Sequence, residues 1–202
     1  MDKKTALKQL RLLDKYSSKM RLAAEGWDKP WKILIATILS ARTRDEVTIK
    51  ICKELFLKYW NLDRLAKANL KDVQKIIKPI NFYKNKSKSV LNCAKQLVTK
   101  HKGNVPEDFE DLIELSGVGR KTANVYLSEM GGNFIGVDTH VSYISQKLGW
   151  TVSNKPHKIE EDLKQLFPRK YWRRINPILV RFGKTYISRR KKLEVLEEIN
   201  GL

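Results

Sequence analysis

A chain of 202 residues with 42% hydrophobic and 31% charged side chains suits one globular domain or two small ones, and is long enough to bury a substantial core. Its 41 lysines and arginines against 22 aspartates and glutamates give a formal charge of +19, a field that attracts polyanions and above all nucleic acid. Cys52 and Cys93 have no C-x-x-C companion, which argues against a disulfide framework or a zinc site. The apolar run Trp31 to Leu39 is broken by Lys32 and too short to span a bilayer, and the start Met-Asp-Lys-Lys lacks a secretory apolar segment, so an intracellular soluble protein is expected.

Helical periodicity dominates the chain, and no sustained strand-type alternation interrupts it. Leu7, Leu10, Leu13 and Met20 predict a helix within residues 3 to 24, ended by Gly26. Asp28 is the expected cap of a second helix, with Pro30 in its first turn and the apolar stretch Ile33 to Leu39 following. After the polar break Ser40 to Arg44, Asp45 opens an amphipathic helix in which Val47, Ile51, Leu55 and Tyr59 recur every four residues. Two short helices are expected from Asp63 to Ala68 and from Leu70 to Ile77, the second stopped by Pro79. A longer one runs from about Lys86 to Lys100, before Gly103 and Pro106 break the chain.

Asp108 starts a short helix through Glu114, and a further helix runs from Arg120 to Ser128. Residues 108–128 thus form a helix–hairpin–helix unit. Gly131-Gly132-Asn133 forms an internal boundary, followed by helices at about Thr139 to Leu148 and Lys158 to Phe167 and by a C-terminal helical region from Tyr171 to about Ile199. The chain reads as all-α, as two helical lobes with a cleft between them.

The hairpin carries the chemistry. In Leu115-Ser-Gly-Val-Gly-Arg-Lys-Thr-Ala-Asn124, Gly117 and Gly119 bracket a turn whose backbone N–H groups, with Val118 between them, can approach a phosphate, because glycine tolerates positive φ and lacks a Cβ. The following helix presents its positive end at the same place. Lys121 follows Arg120 there, and Gly-Val-Asp138-Thr-His comes 17 positions after Lys121. The amine and the delayed carboxylate strengthen the reading of this turn as a nucleic-acid contact over an ordinary interhelix turn. Taken alone, Lys121 also reads as a surface or phosphate-contacting lysine, and Asp138 as the N-cap of the helix starting at Thr139.

These motifs, with Ile38-Leu-Ser-Ala-Arg-Thr-Arg-Asp45, Phe82-Tyr83 with Lys86, and Val105-Pro-Glu-Asp108, resemble endonuclease III-type DNA glycosylases of the helix–hairpin–helix superfamily over nearly the whole chain. The resemblance implies a six-helix lobe at 25–133 and a second lobe built from 1–24 and 134–202, with the damaged nucleotide flipped into the cleft. It implies double-stranded DNA with damaged bases or abasic sites as partner, a monomeric enzyme, and intracellular residence with DNA, which in a prokaryote is the cytoplasm or nucleoid. Lys121 takes the place of the catalytic lysine that attacks the sugar as a free amine. Its positive surroundings should disfavour the charged form. Asp138 takes that of the aspartate that offsets charge on the sugar.

Gly117, Val118, Gly119 and Arg120 are implied phosphate contacts, a contact that a monovalent cation can assist. Arg42 and Phe82 match positions that insert into the DNA gap, with arginine in place of the usual glutamine and phenylalanine in place of leucine. A phosphate contact or a solvated loop is the other reading of Arg42, and core packing after Pro79 the other reading of Phe82.

Two departures stand out. Many members of the family end in four cysteines holding a [4Fe–4S] cluster. Here Ile187 occupies the first ligand position and no cysteine lies beyond Cys93, so no iron–sulfur cluster and no other metal is expected. Packing by Trp172, Ile175, Leu179, Phe182 and Tyr186 must stand in for it. Arg169, Arg173, Arg174, Arg181, Arg189 and Arg190 could keep the grip on DNA. Asn176-Pro177 also replaces histidine and other groups common in relatives. The expected function is a glycosylase and abasic-site lyase for oxidised pyrimidines. Alternatives are action on oxidised purines or on mismatched uracil or thymine, a non-catalytic DNA-binding protein, and a Schiff-base lyase for small molecules.

Overall fold

The computed structural model describes residues 1–201, and apart from a 3₁₀ turn at Arg169–Tyr171 its regular elements are all α-helices, as the periodicity predicts. The chain divides into two units, one of Met1–Met20 with Gly131–Leu202 and one of Arg21–Met130.

The Arg21–Met130 unit holds α2 (Pro30–Ser40), α3 (Asp45–Lys58), α4 (Leu62–Ala66), α5 (Leu70–Ile77), α6 (Tyr83–His101), α7 (Phe109–Ile113) and α8 (Arg120–Glu129). Its core is aliphatic, with Leu34, Ile35, Leu39, Leu55, Leu65, Ile77 and Leu97 fully buried around Tyr126. Helix α2 is apolar on almost every face and packs against α3, α6 and α8, which fits a central helix. Trp27 and Trp31 meet Phe56 edge to face at centroid distances of 5.0 and 5.2 Å.

The other unit holds α1 (Lys3–Tyr16), α9 (Thr139–Lys147), α10 (Pro156–Leu166), α11 (Trp172–Thr185) and α12 (Arg189–Asn200). Ala6, Leu10 and Leu13 of α1 join Val141, Ile144, Ile159, Leu163, Ile175, Leu179, Phe182 and Leu196 in one core, with Trp172 and Tyr186 packed at its margin. Gln9, buried at the centre of α1, accepts from the Trp150 indole at 2.7 Å and donates to the Asn200 side chain at 3.1 Å. One amide side chain thereby ties α1 to α12 and to the end of α9.

Two helix ends differ from the sequence expectation. Helix α1 stops at Tyr16, well before Gly26, because the Ser17 hydroxyl donates back to the Leu13 carbonyl at 2.6 Å while its backbone turns extended. Asp28 does not cap α2. Lys29 holds the cap position, and Asp28 pairs with Lys32 at 2.7 Å. The helical region expected from Tyr171 to Ile199 is two helices, the second capped by the Ser188 hydroxyl.

Candidate functional site

The hairpin between α7 and α8 is built by a cap at one end and a glycine in the middle. Asp108 accepts from the backbone of Glu110 at 2.8 Å and of Asp111 at 3.3 Å, starting α7. Gly117 lies at φ +83, and a Cβ there would sit 2.7 Å from Cβ of Ser89 and 3.3 Å from the Ile38 side chain. A glycine is therefore required both for the turn and for its seat against α6 and α2. Gln96 of α6 braces the same turn, accepting from Ser116 N–H at 2.8 Å and donating to the Glu114 carbonyl at 3.2 Å.

Gly119 departs from the expectation of positive φ. It is extended (φ −97, ψ 174), and a Cβ there would meet nothing within 4 Å, so its smallness leaves the backbone open to approach from outside. Val118 departs too. Its side chain is buried and its N–H donates to the Leu115 carbonyl at 3.0 Å, so that amide is bonded inside the turn.

Arg120 and Lys121 form the first turn of α8, where the helix dipole is positive. The Arg120 guanidinium lies 5.1 Å from the Phe109 ring, joining the two helices of the motif. Lys121 is half-buried, and the apolar face behind it, Ala123, Val125, Tyr126 and Leu127, anchors the helix in the core.

A second cluster in this unit gathers the expected insertion residues. Arg42 (φ 56) and Phe82 (φ 59) both have left-handed backbones, and the Arg42 guanidinium stands 5.8 Å from the Phe82 ring. Phe82 is 59% exposed, so core packing after Pro79 does not account for it. It also begins α6 without a side-chain cap. The loop after α2 and the segment before α6 are bonded together. The Asn81 side chain donates to the Arg42 carbonyl, Asn81 N–H donates to the Thr43 hydroxyl at 3.2 Å, and Lys86 Nζ donates to the Leu39 carbonyl at 2.8 Å.

In the other unit, Asp138 is the N-cap of α9, its Oδ1 accepting from His140 N–H and Val141 N–H, each at 2.9 Å. The segment leading to it is fixed by Asn176, which is buried on α11 and donates to the Gly136 carbonyl at 2.6 Å. Gly183 lets α11 approach α9, since a Cβ there would fall 2.1 Å from His140 Nδ1. Neither Asn176 nor Gly183 stands out in the sequence as a support for the Asp138 segment, because their partners are a carbonyl and a ring edge.

The arginines of α11 fall into different settings. Arg173 is exposed, Arg174 pairs with Asp14 at 2.9 Å, and Arg181 donates to the Met20 carbonyl at 2.9 Å.

An iron–sulfur cluster does not fit these residues. Both thiols lie in the Arg21–Met130 unit, on α3 and α6, where burial pushes each up to about 12, and the C-terminal segment has none. Among the described residues, no group of three or more histidines, cysteines and carboxylates gathers around a common point, and no helix is long and apolar enough to cross a membrane.

Residues 35–169 match the model of the HhH-GPD superfamily base excision DNA repair proteins. Among curated relatives, endonuclease III of Thermotoga maritima is 43% identical over 156 residues, covering 77% of this chain and 73% of its own. Endonuclease III of Synechocystis is 36% identical over 169 residues, covering 83% and 77%. Among solved structures, a trapped endonuclease III–DNA covalent intermediate superimposes with a TM-score of 0.85 at 30% identity, covering 93% of this chain and 89% of its own.

Proposed function

The chain belongs to the HhH-GPD superfamily of base excision DNA repair proteins and is a DNA glycosylase with abasic-site lyase activity, and from that premise we propose that it removes oxidised pyrimidines through a Schiff base on Lys121. The observation that carries this reading is the position of Lys121, half-buried in the first turn of α8 directly after the Gly117–Gly119 turn. A phosphate held at that turn brings the sugar of a neighbouring nucleotide towards the amine. The chemistry then follows from the groups.

The neutral amine of Lys121 attacks C1′, the glycosidic bond breaks, and the base leaves with its electron pair and takes up a proton. Opening of the sugar ring gives the imine. Loss of a C2′ proton then expels the 3′ phosphate by β-elimination. Asp138 supplies negative charge to the cationic sugar as the base departs. Gly117, Gly119 and Arg120 contact phosphate, and hairpin carbonyls are the groups that a monovalent cation would meet there. Arg173 adds a backbone contact, and Arg42 and Phe82 fill the space left by the extruded nucleotide. The covalent intermediate trapped in a structural relative at 30% identity supports the imine route. The enzyme acts as a monomer, within the compartment that holds the DNA.

The test is a panel of duplexes carrying one oxidised pyrimidine, one oxidised purine, or one mismatched uracil or thymine, scored for base release and nicking with and without borohydride. Oxidised pyrimidines should be released fastest, and borohydride should link the wild-type protein to that DNA. Lys121→Gln should bind but give no adduct. Full trapping by Lys121→Gln would dismiss Lys121 as nucleophile, and faster release of purine lesions or mismatches would reassign the substrate.

A further inference from the structure

We propose that Lys86 is a positioning residue for base extrusion: its ammonium pins the loop of Arg42 to the segment of Phe82, so that both side chains enter DNA as one rigid device. The argument starts from helix α2, which ends at Ser40 with no basic residue in its own last turn. The terminal carbonyls of a helix lack intrahelical partners and carry the negative end of its dipole. Lys86 reaches them from α6. Its Nζ donates to the Leu39 carbonyl at 2.8 Å, to the Ala41 carbonyl at 2.5 Å and to the Thr43 hydroxyl at 3.4 Å. An ammonium has three N–H donors, and these three acceptors match them.

Such a placement is not that of a solvated lysine. Burial lowers this amine from the ordinary lysine range to about 8, a cost that a surface position would avoid. Charge-assisted bonds to the three oxygens offset it. The acceptors bracket Arg42, which lies between Ala41 and Thr43, while Lys86 itself lies one helical turn beyond Phe82, with its N–H bonded to the Phe82 carbonyl at 3.0 Å. Asn81 closes the bracket through the Arg42 carbonyl and the Thr43 hydroxyl. Thr43 Oγ1 is thus met from two sides, by Asn81 and by Lys86.

A reason for this bracing is visible in the backbone. Arg42 and Phe82 are the left-handed non-glycine residues of the two joined segments, a conformation that L-residues hold only where their surroundings over-determine it. Without the pin, the Ser40–Thr43 turn and the start of α6 would keep their own backbone bonds but lose contacts that fix one segment to the other. The two side chains would then lose the fixed spacing that a wedge needs to be in place before the base leaves the stack.

This inference rests on the insertion role proposed for Arg42 and Phe82, and the test separates the two. Base release from a paired lesion and nicking of a preformed abasic site are compared for wild type, Lys86→Met, Arg42→Ala/Phe82→Ala and the triple variant, with 2-aminopurine fluorescence reporting extrusion. Lys86→Met is expected to lose about tenfold or more of its base release and of the fluorescence rise, while abasic-site nicking stays within about twofold. In the Arg42→Ala/Phe82→Ala background, Lys86→Met should cause no further loss. A further loss there, or an equal loss on both substrates, overturns the positioning role, because a lysine that merely stabilises the fold acts independently of the wedge. If Arg42→Ala/Phe82→Ala itself loses both activities equally, the insertion reading fails whatever Lys86 does. Lys86→Arg is measured in parallel, and recovery of extrusion by a retained cation distinguishes a missing pin from a missing fold should Lys86→Met not fold.

Discussion

Arg42 and Phe82 hold left-handed backbones, at φ 56 and φ 59, and the Arg42 guanidinium lies over the Phe82 ring, 5.8 Å from its centroid. Among the described residues the third non-glycine with positive φ, Lys102, closes α6 in an ordinary helix end, with the Gly103 N–H returning to the Leu97 carbonyl at 2.9 Å. Arg42 occupies the third position of a turn closed by Thr43 N–H donating to the Ser40 carbonyl at 3.0 Å, with Ala41 at φ −54 and ψ 120, a place that favours glycine. Phe82 stands at the N-cap of α6, so both carry backbone strain.

That strain predicts an unusual ranking of variants. Glycine adopts positive φ freely, whereas alanine there costs about 1–2 kcal/mol. Arg42→Gly and Phe82→Gly should therefore melt about 2–4 °C above their alanine counterparts, the shift that ~1 kcal/mol produces in a domain of this size. Glycine and alanine variants alike should be poor at releasing a paired base, since both lack the inserted side chain. Thermal melts of the four proteins check the backbone argument. Alanine variants as stable as glycine variants would remove it.

The two hairpin glycines should separate in the same way. Gly117→Ala places a methyl group 2.7 Å from Cβ of Ser89 at φ +83, and is expected to cost about 2–4 kcal/mol from conformational strain and overpacking combined. Gly119→Ala meets open space at φ −97, and should cost less than about 1 kcal/mol. A methyl group at Gly119 nonetheless stands where a phosphate would approach. It should weaken duplex binding in a protein that still folds. Wild-type affinity in Gly119→Ala would remove close backbone approach at this position.

The helices were legible because apolar spacing reports directly on burial, and Ile51, Leu55 and Tyr59, recurring every four residues, are all buried. Their ends were less so. Whether Ser17 bonds back to Leu13, or Asp28 turns to Lys32 instead of capping, depends on competition among local hydrogen bonds that composition does not rank. The hairpin glycines announced a turn, yet only the folded backbone separates the conformational need at Gly117 from the open approach at Gly119. Lys86, Asn81 and Asn176 act on backbone carbonyls. Every residue carries a carbonyl, so no side-chain pattern marks the partner.

The arginines of α11 predict different salt responses. Removing one phosphate-binding cation should reduce the slope of log K against log salt by about 0.9. Arg173, exposed on α11, is the one whose replacement by glutamine should act chiefly on that slope. Arg174→Gln should change it less, because its charge is partly spent on Asp14 at 2.9 Å. Arg181→Gln should lower the melting temperature as well, since its guanidinium holds the Met20 carbonyl. Duplex titrations from about 50 to about 200 mM salt give the slopes, and an unchanged slope for Arg173→Gln would remove it from the DNA interface.

Asp138 combines two roles that substitution can pull apart. As N-cap it accepts from His140 and Val141 through one oxygen, Oδ1, an arrangement that asparagine or serine can largely reproduce and alanine cannot. Asp138→Asn and Asp138→Ser should therefore stay within about 1 kcal/mol of wild type, the small deficit reflecting the missing charge at the helix N-terminus. Asp138→Ala should lose about 1–2 kcal/mol. Base release should follow a different order. If the carboxylate offsets positive charge on the departing sugar, all three variants lack the charge, and all three should be slowed by about a hundredfold or more while still binding duplex. Denaturation curves and single-turnover base release, measured on the same four proteins, place each variant on both scales. Activity that rises and falls with stability, with Asp138→Asn and Asp138→Ser near wild type and only Asp138→Ala impaired, would leave Asp138 a cap and nothing more.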